Sequence, residues 1–104
     1  MNIAKMMKQA QQMQKKMGEM QAELAEKQFE SSVGGGKVTV VANGAGDVVS
    51  IKIDPAVVDP DDVEMLEDLV LTGVKQAIEQ GKAESQAEMG KLTAGLGLPP
   101  GMGF

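Results

Sequence analysis

Ile3, Met6, Ala10, Met13, Met17, Met20 and Leu24 follow one another at alternating spacings of three and four residues. That is the 3.5-residue period of a heptad seam, narrower than the apolar stripe of an ordinary core-facing helix. It commits the start of the chain to one long helix. At about 1.5 Å per residue, Ile3 to Leu24 spans roughly 30 Å. A folded chain of this size has a radius of gyration of only about 13 Å. Such a helix either has a second long helix beside it or projects as an arm.

The charges on this helix are segregated. Lys5, Lys8, Lys15 and Lys16 lie off the seam, and no acid precedes Glu19; Glu19, Glu23, Glu26 and Glu30 crowd the other half. The helix dipole favours the reverse order, by about 0.3–1 kcal/mol for each charge near an end. Helix stability therefore does not explain the pattern. A basic half that meets an anion does, and so does a plain solvated face; the residues alone leave both readings open. The net charge is −5, and the four lysines of residues 1–17 leave the remainder at −9. A basic arm on an acidic body can hold a polyanion at the arm while the body repels it.

The chain has 104 residues, two aromatics (Phe29 and Phe104) and no Trp or Tyr. Its core must come from Val, Ile, Leu, Met and Ala, which is thin for helices this long, so a homodimer is expected. No Cys is present, which leaves the redox compartment undetermined. Neither a signal-peptide core nor a membrane-length apolar run is visible, so the chain is expected to be soluble, with no membrane partner.

After the helix, Phe29, Ser31 and Val33 alternate with polar residues as in a short strand, followed by the Gly34-Gly35-Gly36 turn. Lys37 to Asn43 reads as a second strand, Asn43-Gly44-Ala45-Gly46-Asp47 as a hairpin loop, and Val48 to Asp54 as a third strand. Val49, Ile51 and Ile53 are expected to face inward, with Val48 outward. Asp59 as N-cap and Pro60 at the first helical position announce a second helix running to about residue 92. Val63, Leu66, Val70, Val74, Ala77 and Ile78 would form its buried stripe. The fold class is α+β, in the order αβββα, with projecting helical arms in a dimer. Residues 1–94 form a single domain, and 95–104 a flexible tail rich in Gly and Pro.

Enzymatic chemistry finds little support. With no His or Cys there is no histidine base, thiolate nucleophile or zinc site. Asp59, Asp61, Asp62 and Glu64 lack calcium-loop spacing and suit the acidic first turn of a helix. Gly34-Gly35-Gly36-Lys37 fails the phosphate-loop pattern at Ser31 and Val38, and Gly44-Ala45-Gly46 precedes a strand, not a helix. No cofactor, metal or small-molecule substrate is expected. The Met-rich seam reads either as a plastic surface for partner helices or as a tolerant core. Arg is absent, so the fork that reads guanine edges is missing, while lysines along a helix flank suit phosphate oxygens. Scarce aromatics argue against stacking on single strands.

Several segments together carry a family resemblance: Met6-Met7-Lys8-Gln9-Ala10-Gln11, Val40 to Pro55, Glu64-Met65-Leu66-Glu67-Asp68-Leu69 and Met89-Gly90-Lys91-Leu92-Thr93. Over its whole length the chain resembles the YbaB/EbfC nucleoid-associated DNA-binding proteins of bacteria. The resemblance implies a tight homodimer with projecting arms that binds double-stranded DNA with low sequence preference. It further implies a place in the cytoplasmic nucleoid and a part in gene regulation. The helical ends implicated in DNA contact correspond to Lys5, Lys8, Lys15 and Lys16, and to Lys82 and Lys91. The rival reading is a protein-interaction module that uses the Met-rich arms and the apolar tail.

Overall fold

A computed structural model describes residues 2–95. The elements are α1 (Ile3–Glu26), β1 (Gln28–Val33), β2 (Val38–Asn43), β3 (Val48–Ile53), a single 3₁₀ turn at Pro55–Val57, and α2 (Val63–Gly95). The three strands form an antiparallel meander in the order β1-β2-β3. This is the αβββα order expected; the tail at 96–104 lies outside the described residues. The molecule measures 70 × 21 × 16 Å, with a radius of gyration of 19.3 Å. A compact chain of this length has about 13 Å, so the helices carry mass well away from the sheet.

The core lies between the sheet and α2. Cross-strand partners share a face, which puts Val33, Val38 and Ile53 in one row and Ser31, Val40 and Ile51 in the next. Val38, Val40 and Ala42 are fully buried under α2, where Gly73 and Ala77 allow the helix to come close. A Cβ at Gly73 would stand 2.9 Å from a Val40 methyl. Leu66, Leu69, Val70, Val74 and Ile78 pack around this cluster. Ser31 is buried too, and its hydroxyl donates to the Gln76 side-chain oxygen at 2.8 Å. The β1–β2 turn needs its glycines, because Gly34, Gly35 and Gly36 all have φ between +64° and +89°.

Five expectations are corrected. β3 is exposed along its whole length, with Ile51 and Ile53 at 43 % and 40 %. Both face the α2 side, but α2 lies over β1 and β2 and leaves the β3 column uncovered. A bulge at Val49 also turns Val48 to stand opposite Ala42, so it faces the same way. At the start of α2, Asp59 does not cap the helix. Its carboxylate accepts from Asp61 N in a turn carrying Pro60, and Asp62 does the capping by accepting from Met65 N at 3.2 Å. Val63 is consequently exposed and outside the buried stripe. α2 runs on to Gly95, past the expected limit near residue 92.

Candidate nucleic-acid interface

α1 begins at a side-chain cap. Asn2 Oδ1 accepts from Lys5 N at 3.1 Å, which fixes the first turn and the positive end of the helix dipole. The other end is locked. Leu24 is 4 % exposed, and its carbonyl accepts from Gly44 N at 2.8 Å in the β2–β3 loop. A Cβ on Gly44 would stand 2.7 Å from that carbonyl, and one on Gly81 would stand 2.6 Å from the Asn43 carbonyl. The end of α1, the hairpin loop and α2 thus meet with no room for side chains between them. This junction sets the direction in which α1 leaves the sheet.

Beyond it α1 runs antiparallel to α2. Lys27 Nζ lies 3.1 Å from a Glu84 carboxylate oxygen. Further out, Lys16, Glu19, Met20 and Glu23 share an open groove with Glu88, Lys91 and Leu92. Extending that register brings Gly95 near Lys16, and residues 3–12 are exposed without exception. They amount to roughly 15 Å of helix. The seam follows this gradient: Leu24 is buried, Met20, Met17 and Met13 are half-buried, and Met6 and Ile3 are open.

Lys5, Lys8, Lys15 and Lys16 are all exposed. Among the described residues the ion pairs are Lys27–Glu84, Lys37–Asp54 and Lys91–Glu88, none of which includes these four. Lys91 lies beside Lys16 but is held by Glu88 at 3.5 Å. Lys82 is exposed nearer the sheet. Separated from Lys91 by about two and a half helical turns, it falls on the opposite face of α2. The structure therefore brings Lys5, Lys8, Lys15 and Lys16 together on one projecting helix, with Lys91 at its edge and Lys82 apart. Sequence reasoning missed the cap at Asn2 and the Lys27–Glu84 clamp. The first was legible as an Asn just before the periodic residues; the second joins residues far apart in the chain and left no local signal.

Glu19, Glu23 and Glu88 share the groove with Lys16 and Lys91, while other acids lie far from the arm. Asp62, Glu64 and Asp68 line a shallow depression at the start of α2, near the β1–β2 turn and away from the arm tip. Glu84 is held below the usual carboxylate range by its hydrogen bond and charge contact with Lys27, and Lys27 is raised in return. Asp54 is lowered first by the Ala56 N–H it accepts and then by Lys37. Among the described residues no group of His, Cys, Asp or Glu is placed to hold a metal, and no helix is long and apolar enough to cross a membrane. An extended α+β subunit whose projecting helix carries bases toward its tip and acids toward its base is the class this geometry defines.

The chain belongs to the YbaB/EbfC DNA-binding family, whose sequence profile matches residues 1–96. It is 56 % identical over 99 residues to a nucleoid-associated protein of Clostridium novyi, covering 95 % of this chain and 87 % of that one. A nucleoid-associated protein of a Thermoanaerobacter species is 55 % identical over 98 residues, covering 94 % and 88 %. The crystal structure of an uncharacterized protein from Helicobacter pylori shares the fold at 19 % identity, with a TM-score of 0.77 over 86 % of this chain and 94 % of that one.

Proposed function

We propose that this protein is a nucleoid-associated, non-enzymatic DNA-binding homodimer. In this reading it grips duplex phosphates through Lys5, Lys8, Lys15 and Lys16, with little sequence preference. The observation that carries the reading is the set of four ammonium groups, exposed and outside the ion pairs among the described residues, on a helix that outruns its own subunit. Point charges of this kind position a protein on duplex without reading bases. Lys91 serves at the edge of the grip and Lys82 from a separate face. Second copies meet along the uncovered β3 column of Val48, Ile51 and Ile53. Leu71 extends that apolar surface from α2: Gln76 faces β1, and Leu71 lies well round the helix from it. Two copies then present up to eight lysines. Bound in the nucleoid, such a dimer would affect gene expression by occupying DNA rather than by choosing sites.

Gel shifts on unrelated duplexes at several salt concentrations test this. Wild type should show a slope of log K against log[salt] of roughly −4 to −7, and all duplexes should bind alike. With Lys5, Lys8, Lys15 and Lys16 changed to Gln the slope should collapse. Equal binding by both proteins removes the lysine assignment. If neither binds, the arms are better read as a protein-interaction module. Sedimentation of wild type and an Ile51→Lys variant tests the dimer; an unchanged mass would remove the β3 assignment.

A further inference from the structure

The loop that locks α1 to the sheet also holds the chain's one Asn-Gly step, Asn43-Gly44. In such a step the backbone nitrogen of the glycine can attack the preceding carboxamide, because no side chain shields it. The chain's other asparagine, Asn2, precedes the β-branched Ile3, whose side chain crowds the same approach. Asn43 is half-buried at the end of β2, and Gly44 beside it is buried.

Both reacting groups are held by the fold. Asn43 Oδ1 accepts from Ala45 N and from Asp47 N, each at 3.0 Å. Two backbone donors on a carbonyl oxygen stabilise the negative charge that develops there when a nucleophile adds. The electrophile is therefore activated. The nucleophile is restrained, because Gly44 N donates to Leu24 O at 2.8 Å and is tied to the last turn of α1. The Gly44 peptide has no room to turn while that bond holds. A Cβ on it would stand 2.7 Å from the Leu24 carbonyl, and one on Gly81 would stand 3.5 Å from the Gly44 Cα. Activation and restraint thus sit in one loop, and the restraint belongs to α1.

We propose that Asn43 is a latent deamidation site whose latch is the hold of α1 on the β2–β3 loop. When the last turn of α1 lets go, Gly44 N bonds to the Asn43 carboxamide carbon and gives up its proton. Ammonia leaves with that proton, and a succinimide ring remains. Water then opens the ring at either carbonyl, giving an aspartyl or an isoaspartyl residue at this position. The isoaspartyl form routes the backbone through the former side chain and lengthens it by a methylene. That change falls between the Asn43 N–H donated to Asp47 O and the Gly44 N–H donated to Leu24 O. The loop then no longer fits α1, and a transient local opening becomes a permanent one. Nothing in this depends on what the lysines bind.

Full-length protein is aged in neutral buffer at physiological temperature, and peptide mapping by mass spectrometry follows the amide-to-acid change at Asn43 and Asn2. Wild type in concentrated urea supplies the rate without the latch. Folded wild type should convert Asn43 many-fold more slowly than that, while Asn2 should barely convert in either. Leu24→Ala should raise the folded rate several-fold, and Leu24→Val, a smaller change, should fall between it and wild type. Val38→Ala empties a buried site at the other end of β2 and controls for general loss of stability; it should raise the rate far less. Equal rates for folded and urea-treated wild type overturn the latch, as do equal rates for Leu24→Ala and Val38→Ala. If Leu24→Ala does not fold, Leu24→Val decides, and a rate equal to wild type overturns the latch. No conversion at Asn43 even in urea overturns the site itself. The isoaspartyl fraction, separated chromatographically, should be cut by trypsin after Lys27 several-fold faster than unaged protein. Equal cutting overturns the unlocking of the arm.

Discussion

The two helices of this protein solve opposite problems with similar composition. α2 lies along the sheet, with Asp62 capping it, Glu64 in its first turn, and Gly73, Ala77 and Gly81 buried against the strands. The acid in its first turn agrees with its dipole, and its apolar residues have a surface to cover. α1 reaches the sheet only at its last turns, where Leu24 and the Gly44 loop hold it. Its charges run against its dipole, and its seam opens step by step toward the tip. A helix whose side chains serve its own packing can afford neither feature; one that works as an arm can carry both.

The largest test of this contrast compares the two ends of one seam. Leu24→Ala should cost about 2–5 kcal/mol, the range for emptying a buried leucine site. Met6→Ala, on the same seam at the free end, should change stability by less than about 0.5 kcal/mol. Denaturant unfolding measures both, and equal costs would mean that the tip is packed after all.

The glycines give a change of sign. At Gly81→Ala the new Cβ meets the Asn43 backbone carbonyl at 2.6 Å, so the helix must shift, at about 1–3 kcal/mol. Gly18 on α1 has nothing within 4 Å of the same Cβ position. Gly18→Ala should therefore stabilise by about 0.5–1 kcal/mol through helix propensity alone. Thermal melts of the pair separate the crowded junction from the open arm.

Single lysines sharpen the contrast at the level of function. Lys15→Gln should lower the salt slope by about 1 for each arm in contact. Lys91→Gln should lower it less, because Glu88 already holds that ammonium. Equal effects would move the grip from α1 into the groove between the helices.

The smallest effect concerns acid. Glu84 and Asp54 are lowered in the folded state, so their contribution to stability is present above the usual carboxylate range. It is lost as pH falls through their folded values. Lys27 is raised, so its share holds below the ordinary lysine value and fades only as pH rises through the folded one. Lys27→Met should flatten the acid limb slightly and leave neutral-pH DNA binding unchanged. An unaltered acid limb would remove Glu84 as a contributor.

Most of the fold was legible because its signals are local. Heptad spacing marked α1, alternation and glycine turns marked the strands, and the run from Asp59 to Glu64 announced α2 to within a turn. The misplaced cap shows where local reading stops. Asp59, Asp61 and Asp62 are each able to cap a helix, and the turn that Pro60 makes decides among them. The inward reading of Ile51 and Ile53 failed for a different reason. Alternation tells which face a residue takes, but not whether anything covers that face.

What the amino-acid sequence determined by itself was periodicity and the order of charge: one helix too long for its subunit, its bases before its acids, and three strands between two helices. What only the tertiary structure decided was coverage. It placed α2 over β1 and β2 but not β3, and it locked α1 at Leu24 while leaving Ile3 and Met6 bare. It also left four lysines exposed and outside the ion pairs of the described residues. Periodicity is a property of neighbours along the chain, whereas coverage depends on where distant segments lie, and here Ile3 and Met6 stay exposed at the arm's tip.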